Sequence, residues 1–592
     1  MAQTKEKTNF WKRILRIPAE SMRWFSFAWL RLWVFSRNRA RKLRRLNIDY
    51  IVMPIGGSLP ERAAPRPGFI GRRLQLREPE LSMQELNERL RKIGDADNVK
   101  GVVFIFQGFQ AGIASIQNLR RSMERLRETG KKVVVYTPYL DLRHYYAAAA
   151  ADRVIVPPGA TFEVLGLHTE VLFLKEALQK IGVQVDVVQI SPYKTAMDTL
   201  QYSDMTPEFR AQLNWLLDDQ YDTITAALAA DRGFRQEEMM AFIDQAPMFA
   251  ADAQEKGLLD DVAYEDELAF HLAAEDGEDK NQSTSAVDKD NAVSDQAPGG
   301  VRDKKDSESS QPKAKLKTWN QARKQLLEVP RRRSRHFVGV ISMSGLITMG
   351  PSRRLPINLP IPLVGGSSIG EQSALSLLRR AERLQGMAAL IIHVDSSGGS
   401  ALASELIARQ IRRLGQKIPV LVYMGNVAAS GGYYISARAK HIMCQKNTIT
   451  GSIGVISGRP STSELFEKVK INRTGISRGR HAGLYSEPTP LSTEERQILW
   501  DGILHTYKQF KREVAGGRGL PYEELDPVCE GRVWTGRQAR EHQLVDSHGD
   551  FVDAVREAAK MGDISLEDHE QIKVVNLYSK KDSFVLPQPY QA

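Results

Sequence analysis

Short runs rich in Val, Ile and Phe alternate along this chain with longer stretches whose apolar residues recur every three or four positions. "KGVVFIFQGF" (Lys100 to Phe109) and "AALIIHVDSSGG" (Ala388 to Gly399) are of the first kind. "SIQNLRRSMERLRETG" (Ser115 to Gly130) and "ASELIARQIRRLG" (Ala403 to Gly415) are of the second. The near-continuous apolar runs predict strands buried on both faces, and the others predict amphipathic helices that cover them. Strand, helix, strand order of this kind predicts an α/β fold with a largely parallel sheet, and in such sheets sites form where strands end and helices begin.

The pattern occurs twice. "DYIVMPIGGSL" (Asp49 to Leu59) resembles "HFVGVISMSGLI" (His336 to Ile347), and Lys100 to Phe109 resembles Ala388 to Gly399. "ETGKKVVVYTPY" matches "RLGQKIPVLVYMGN", and "HYYAAAAADRVIVPPGATFEVLGL" matches "GYYISARAKHIMCQKNTITGSIGV". The offset stays between about 285 and 288 residues through all four pairs, so the two halves are predicted to be copies of one fold.

Between the copies, Glu275 to Lys315 is rich in charge, Ser and Gln and almost devoid of large apolar residues, which predicts a flexible linker. A chain of 592 residues is too long for one core. The expected division is a basic aromatic segment (1–46), an N-terminal copy (47–274), a polar linker (275–318) and a C-terminal copy (319–592).

Composition adds one feature. Most of the net charge of +11 comes from the first segment, where "RNRARKLRR" (Arg37 to Arg45) follows "WFSFAWLRLWVF" (Trp24 to Phe35). That apolar run is about 12 residues long and is broken by Arg31, whereas a spanning helix needs about 20. Tryptophan beside arginine suits the headgroup boundary, so an anionic membrane surface is the expected partner of residues 1–46. A nucleic-acid arm fits so many aromatics less well, and no small-residue cleavage site follows the run. The two cysteines, Cys444 and Cys529, form no CxxC or Cys/His cluster, so no zinc site or disulfide framework is expected.

The copies differ where chemistry is expected. In "VYMGNVAASGGYYISA" (Val422 to Ala437), one hydroxyl, Ser430, stands at a predicted helix entrance. Aligned on the Tyr pairs, Ser430 falls opposite Leu142, and Gly431 and Gly432 fall opposite Arg143 and His144. A serine nucleophile needs a base. His393 lies in an apolar strand and His481 in a Gly/Arg-rich loop, and neither belongs to a motif. A lysine serves if burial yields the neutral amine. "QISPYKTAMDTLQYSDMT" lines up with "GISRGRHAGLYSEPTPLS", which sets Lys194 opposite Arg480, and an arginine stays protonated. One copy thus holds a serine without a base and the other a lysine without a serine. That asymmetry predicts one shared Ser430/Lys194 site. Gly399, between a strand and a helix, and Gly431 offer N–H groups for an oxyanion. No GxGxxG or Walker lysine is present, so nucleotide binding is not expected.

"VDSSGGSALASELIARQI", "YMGNVAASGGYYISA", "TITGSIGVI" and, in the first half, "SPYKTA" followed by "MTPEFRAQL" resemble the signal peptide peptidase A family in its long bacterial form, also called protease IV. The resemblance runs from about Ile51 to Phe270 and from about Phe337 to Lys560. It implies two tandem crotonase/Clp-like domains forming a serine endopeptidase, with Ser430 as nucleophile and Lys194 as general base. It also implies membrane-associated, tetramer-like homo-oligomers of the bacterial inner membrane that cut apolar segments of released signal peptides, without metal or nucleotide. Two other readings fit the same fold: a proteolytically silent membrane scaffold, and a crotonase-type acyl-thioester enzyme. The family usually carries proline where this chain has Ser397, which predicts a looser oxyanion loop. It also usually carries a spanning N-terminal helix. "VGGSSIG" (Val364 to Gly370) is expected to line the substrate channel.

Overall fold

The computed structural model describes residues 24–44, 47–63, 80–273, 313–358, 365–486, 489–567 and 569–578. Nearly all of the expected linker, residues 1–23, Arg45 and Val364 lie outside the described residues.

The first copy is built on six parallel strands. They are β1 (Ile48–Gly57), β2 (Val99–Phe109), β3 (Lys132–Tyr136), β4 (Arg153–Val156), β6 (Asp261–Val262) and β7 (Leu316–Thr318), ordered β6-β4-β3-β2-β1-β7. Strand β5 (Gln184–Gln189) is not part of this sheet. Val102, Phe104 and Val133 are wholly buried against the helices, as the apolar runs require.

The second copy repeats the plan. Its strands are β8 (Arg332–Ser344), β9 (Leu346–Thr348), β10 (Arg354–Asn358), β11 (Gly365–Gly370), β12 (Met387–Ser396), β13 (Val420–Ala429), β14 (His441–Cys444), β15 (Ile449–Gly451), β16 (Ile456–Ser461), β17 (Val533–Thr535), β18 (Ser547–His548) and β19 (Glu570–Asn576). The main sheet runs β17-β15-β13-β12-β8-β19, with β14 also on β13, and β9, β11 and β10 form a small separate sheet.

Helices α1 (residues 24–43), α2 (Ile113–Glu128), α3 (Leu142–Ala148), α4 (Pro207–Arg232), α5 (Ala401–Gly415), α6 (Gly431–Ser436), α7 (Thr493–Arg518) and α8 (Phe551–Met561) carry the contacts that matter below. The copies keep the same internal ties. Tyr145 Oη donates to the Leu258 carbonyl and Tyr433 Oη to that of Leu544, each at 2.8 Å. Arg232 pairs with Asp260 in one copy and Arg518 with Asp546 in the other. Helices α4 and α7 both have 26 residues and end on a left-handed glycine, Gly233 or Gly519.

One boundary shifts. β7 forms the last three residues of the expected linker and pairs with β1, and Ala322 and Leu326, just after it, pack into the first core. The first strand of the second sheet begins at Arg332, within the expected C-terminal copy, while residues 316–326 side with the first copy. The cause is the edge of β1, whose backbone groups β7 satisfies; three residues are too few to show a strand pattern in sequence.

The copies are joined by an arm. β5 pairs antiparallel with β16 of the second copy, Ile456 opposite Gln189 through Ser461 opposite Gln184. On α4, Trp215 Nε1 donates to the Val533 carbonyl, and Gln212 Oε1 accepts from Val533 N, both at 2.9 Å. Helix α2 starts at Gly112 without a side-chain cap of its own; Asn426 of the second copy accepts from Ser115 N instead. These contacts hold the segment after β5 against the C-terminal edge of the second sheet.

Candidate active site

Ser430 occupies the single residue between β13 and α6. Its backbone, at φ 52° and ψ −117°, lies where L side chains are rarely found, at a cost of about 1 to 3 kcal/mol. Two bonds hold it there: Ser430 N donates to the Gly451 carbonyl at 2.9 Å, and Tyr434 N donates to the Ser430 carbonyl at 2.8 Å. The sharp strand-to-helix turn lifts the hydroxyl off the sheet while its neighbours Tyr433 and Tyr434 anchor the helix in the core.

Lys194 reaches this hydroxyl from the first copy. It follows β5 by a turn in which Ile190 N donates to the Val455 carbonyl and Lys194 N to that of Ser191. Nζ lies 3.0 Å from Ser430 Oγ, across 236 residues of sequence in the same chain. It also lies 2.8 Å from both Ser452 Oγ and the Ser452 carbonyl. The side chain is 3% exposed, and burial alone brings the amine down to about 7, where the neutral form is abundant at neutral pH.

Ser452 has no assigned role in the sequence reading. It stands in the quoted "TITGSIGVI", and its signal is a hydroxyl between Gly451 and Ile453 just past a short strand, in a backbone with φ 53°. A neutral amine has two hydrogens and one lone pair. The Ser452 carbonyl only accepts, so one hydrogen goes there; if Ser452 Oγ accepts the other, the lone pair is left facing Ser430.

Gly399 and Gly431 lie beside the serine. Gly398, at φ 109°, and Gly399, at φ 143°, follow β12. A Cβ built on Gly398 would stand 2.7 Å from Gly431 N and 2.8 Å from Ser430 Cβ, so only glycine permits this approach. A Cβ on Gly431 would lie 3.3 Å from Gly399 N, which brings the two amides to one spot. Neither amide donates a hydrogen bond among the described residues. The loop is not loose at Ser397: Ser396 Oγ donates to the Gly345 carbonyl at 2.6 Å, and Ile347 bonds on both sides, accepting from Ser400 N and donating to the Gly398 carbonyl. Its fixation comes from residues 396 and 347, so the exposed side chain at 397 does not decide it. Strand β11 pairs with β9, which bridges Gly399 through Ile347; residues 365–370 therefore belong to a sheet that adjoins this loop.

The other sequence candidates lie elsewhere. His393 is buried against Tyr423 and Phe551 and held neutral, pushed down to about 3 by burial and by Arg62. His481 and Arg480 are exposed, and Arg480 pairs with Glu494 at 2.8 Å. In the first copy Leu142 is buried, and Asp141 and His144 occupy the helix entrance, with Nδ1 of His144 2.7 Å from Asp141 Oδ2. No group of His, Cys, Asp and Glu among the described residues is arranged to hold a metal.

Two α/β copies with a serine on a strained turn in one and a buried lysine from the other at its hydroxyl make up a divided site. The chain belongs to peptidase family S49, whose profile matches it twice, at residues 125–278 and 412–565. It is 29% identical over 498 residues to the chloroplastic serine protease SPPA of Arabidopsis thaliana, spanning 84% of this chain and 68% of that one. It is 28% identical over 483 residues to Protease 4 of Haemophilus influenzae, spanning 80% and 72%. It also superposes on a ClpP1 mutant from Listeria monocytogenes with a TM-score of 0.23 at 15% identity, covering 36% of this chain and 94% of that one.

Burial of Lys194 has a stability consequence of definite sign. Its folded pKa, about 7, lies below the ordinary value of 10.5, so the unfolded chain binds the extra proton between these values and stability rises with pH there. The slope from this group is about 1.4 kcal/mol per pH unit. Lys194→Met is expected to be more stable than the native chain at pH 7, with the gain vanishing above pH 10.5. Denaturant melts at several pH values measure it, and a variant less stable than the native chain at pH 7 contradicts the reading.

Proposed function

We propose that the protein is a serine endopeptidase working through a Ser430/Lys194 dyad. The observation that carries this is the 3.0 Å contact between Lys194 Nζ and Ser430 Oγ, made by an amine that burial keeps partly neutral. Neutral Lys194 takes the Ser430 proton as Oγ attacks a peptide carbonyl. The Gly399 and Gly431 amides, which donate to no acceptor among the described residues, hold the oxyanion. The protonated Lys194 then gives its proton to the leaving amine, and the neutral amine activates water to release the acyl group from Ser430. Whenever Lys194 is neutral, its bonds to Ser452 turn the lone pair toward Ser430. The substrates are apolar peptides such as released signal peptides, which extend along β11 beside the oxyanion loop.

The catalytic body works at an anionic membrane surface of the bacterial inner-membrane type. No helix among the described residues is long and apolar enough to cross a bilayer. Helix α1 packs on the body through Phe27, Val34 and Arg41, whose guanidinium donates to the Leu326 carbonyl. Its opposite face exposes Phe25, Trp29, Leu32 and Trp33. That face suits the headgroup layer, with Arg31, Arg39 and Lys42 placed to meet anionic lipid.

The assembly is a tetramer-like homo-oligomer. β5 of the first copy is paired, but the corresponding stretch of the second, around Ile471 to Ile476, is exposed and outside any sheet. It is free to meet a second copy of the chain.

Ser430→Ala and Lys194→Ala are each expected to lower kcat/KM on an apolar peptide by about a thousandfold or more. In the native chain kcat/KM should fall about tenfold per pH unit below about 7, as Lys194 gains its proton. Labelling of Ser430 by a serine-directed acylating probe reports the same loss; a labelled and active Lys194→Ala sinks the dyad. Silence of the native chain favours the scaffold, and turnover of a thioester but not a peptide favours the crotonase-type enzyme.

Sedimentation with vesicles rich in phosphatidylglycerol should carry the native chain down and leave Trp29→Ser/Trp33→Ser largely in solution. Equal binding of the two, or equal binding to neutral vesicles, defeats the membrane assignment. Light scattering of the full chain in detergent should return about four protomers; a monomer across the working concentration range removes the oligomer from the proposal.

A further inference from the structure

The turn before β17 touches both Lys194 and the Ser452 segment that bonds its amine. Glu530 and Gly531 are left-handed in succession, at φ 56° and 85°. Gly531 N donates to the Ile453 carbonyl at 2.8 Å, and the Arg532 carbonyl accepts from Ser452 N at 2.7 Å, which ties the turn to the segment that faces Lys194 Nζ. On its other side the turn meets the Lys194 main chain. A Cβ built on Gly531 would stand 2.7 Å from Lys194 N, Cα and Cβ alike. Gly454 backs the turn equally closely, since a Cβ there would lie 2.8 Å from Gly531 N. The turn cannot retreat from a side chain at 531.

Neighbouring groups grip the same junction. The Arg532 guanidinium lies 4.0 Å from the centre of the Tyr193 ring and bonds to Glu530. Tyr193 in turn lies beside Trp215, which stacks on Trp534 at 5.3 Å. The residue before the lysine is thus clamped by the residue after the glycine.

We propose that Gly531 is a positioning residue for the reaction: by carrying no side chain it seats the Lys194 backbone against the second copy and so fixes how far Nζ reaches toward Ser430. The inference rests on the Ser430/Lys194 reading. Lys194 has a buried path of fixed length, so raising its backbone on a methyl group withdraws Nζ from Ser430 Oγ and admits water behind it. A misplacement of about 1 Å at a reacting group costs about a hundredfold in rate.

The test uses the full chain with Gly531→Ala and Arg532→Ala. Gly531→Ala is expected to lower kcat by about a hundredfold with KM little changed. It is also expected to move the acid limb of the pH profile upward from about 7, because a less buried amine returns toward its ordinary value. A change that only reduced the folded fraction would lower the profile without moving it. A folded Gly531→Ala with native kcat and a native acid limb overturns the proposal. If that variant lacks a cooperative melt, Arg532→Ala decides: it adds no bulk, releases Tyr193, and should move the limb in the same direction, and an unmoved limb overturns the proposal. Lys194→Ala run alongside separates the failures. Its inactivity with a native-like Gly531→Ala sinks the positioning role alone, whereas activity in both sinks the dyad.

Discussion

The burial of one amine governs the arrangement of this molecule. A charged ammonium resists transfer out of water, and the resistance is what brings Lys194 down to a pKa near neutrality. Enclosing it takes walls on every side, and neither copy has them alone. The first copy offers the lysine on an arm that leaves its own sheet; the second provides Ser452, the turn at Gly531 and the strained serine. The pairing of β5 with β16 and the packing of α4 on β17 therefore do more than hold two domains together. They close the one enclosure in which the proposed base can be neutral.

Duplication explains how such a divided site is stable. The scaffold contacts recur in both copies, down to the buried tyrosine hydroxyl on a leucine carbonyl and the Arg–Asp pair at the end of the long helix. The chemistry does not recur. Where the second copy has Ser430 and two glycines, the first has a capping Asp141 and a buried His144 stacked on Phe109. Bulk at that position is compatible with the fold because the helix entrance needs only a cap. The close approach of Gly398 to Gly431 N beside Ser430, by contrast, requires that no side chain intervene.

Much of this was legible from residue patterns. The parallel sheets followed from apolar runs, and the internal repeat from a steady offset; Ser430 and Lys194 came from places where the copies fail to match. Contacts between elements distant in sequence were not legible. Strand β7 is three residues long and shows no period, so its return to the first sheet depends on an open edge at β1. Ser397 in place of proline predicted a loose loop, yet Ser396 and Ile347 tie it down through partners 51 residues away in one case and across a β-bridge in the other. Ser452 and Gly531 left only ordinary signals, a serine and a glycine beside turns. Their meaning is in what they touch.

The sequence by itself determined which residues can do chemistry: a lone hydroxyl at a helix entrance, a lysine where its counterpart is arginine, and glycines where amides must be bare. These are properties of residue types and of local periodicity, which a chain carries before it folds. Only the tertiary structure decided that Lys194 meets Ser430 within one chain, that the meeting place is buried, and that Ser452 and the turn at Gly531 adjoin it. The reason is that distance and dielectric are set by packing across 236 residues, and no local pattern records either.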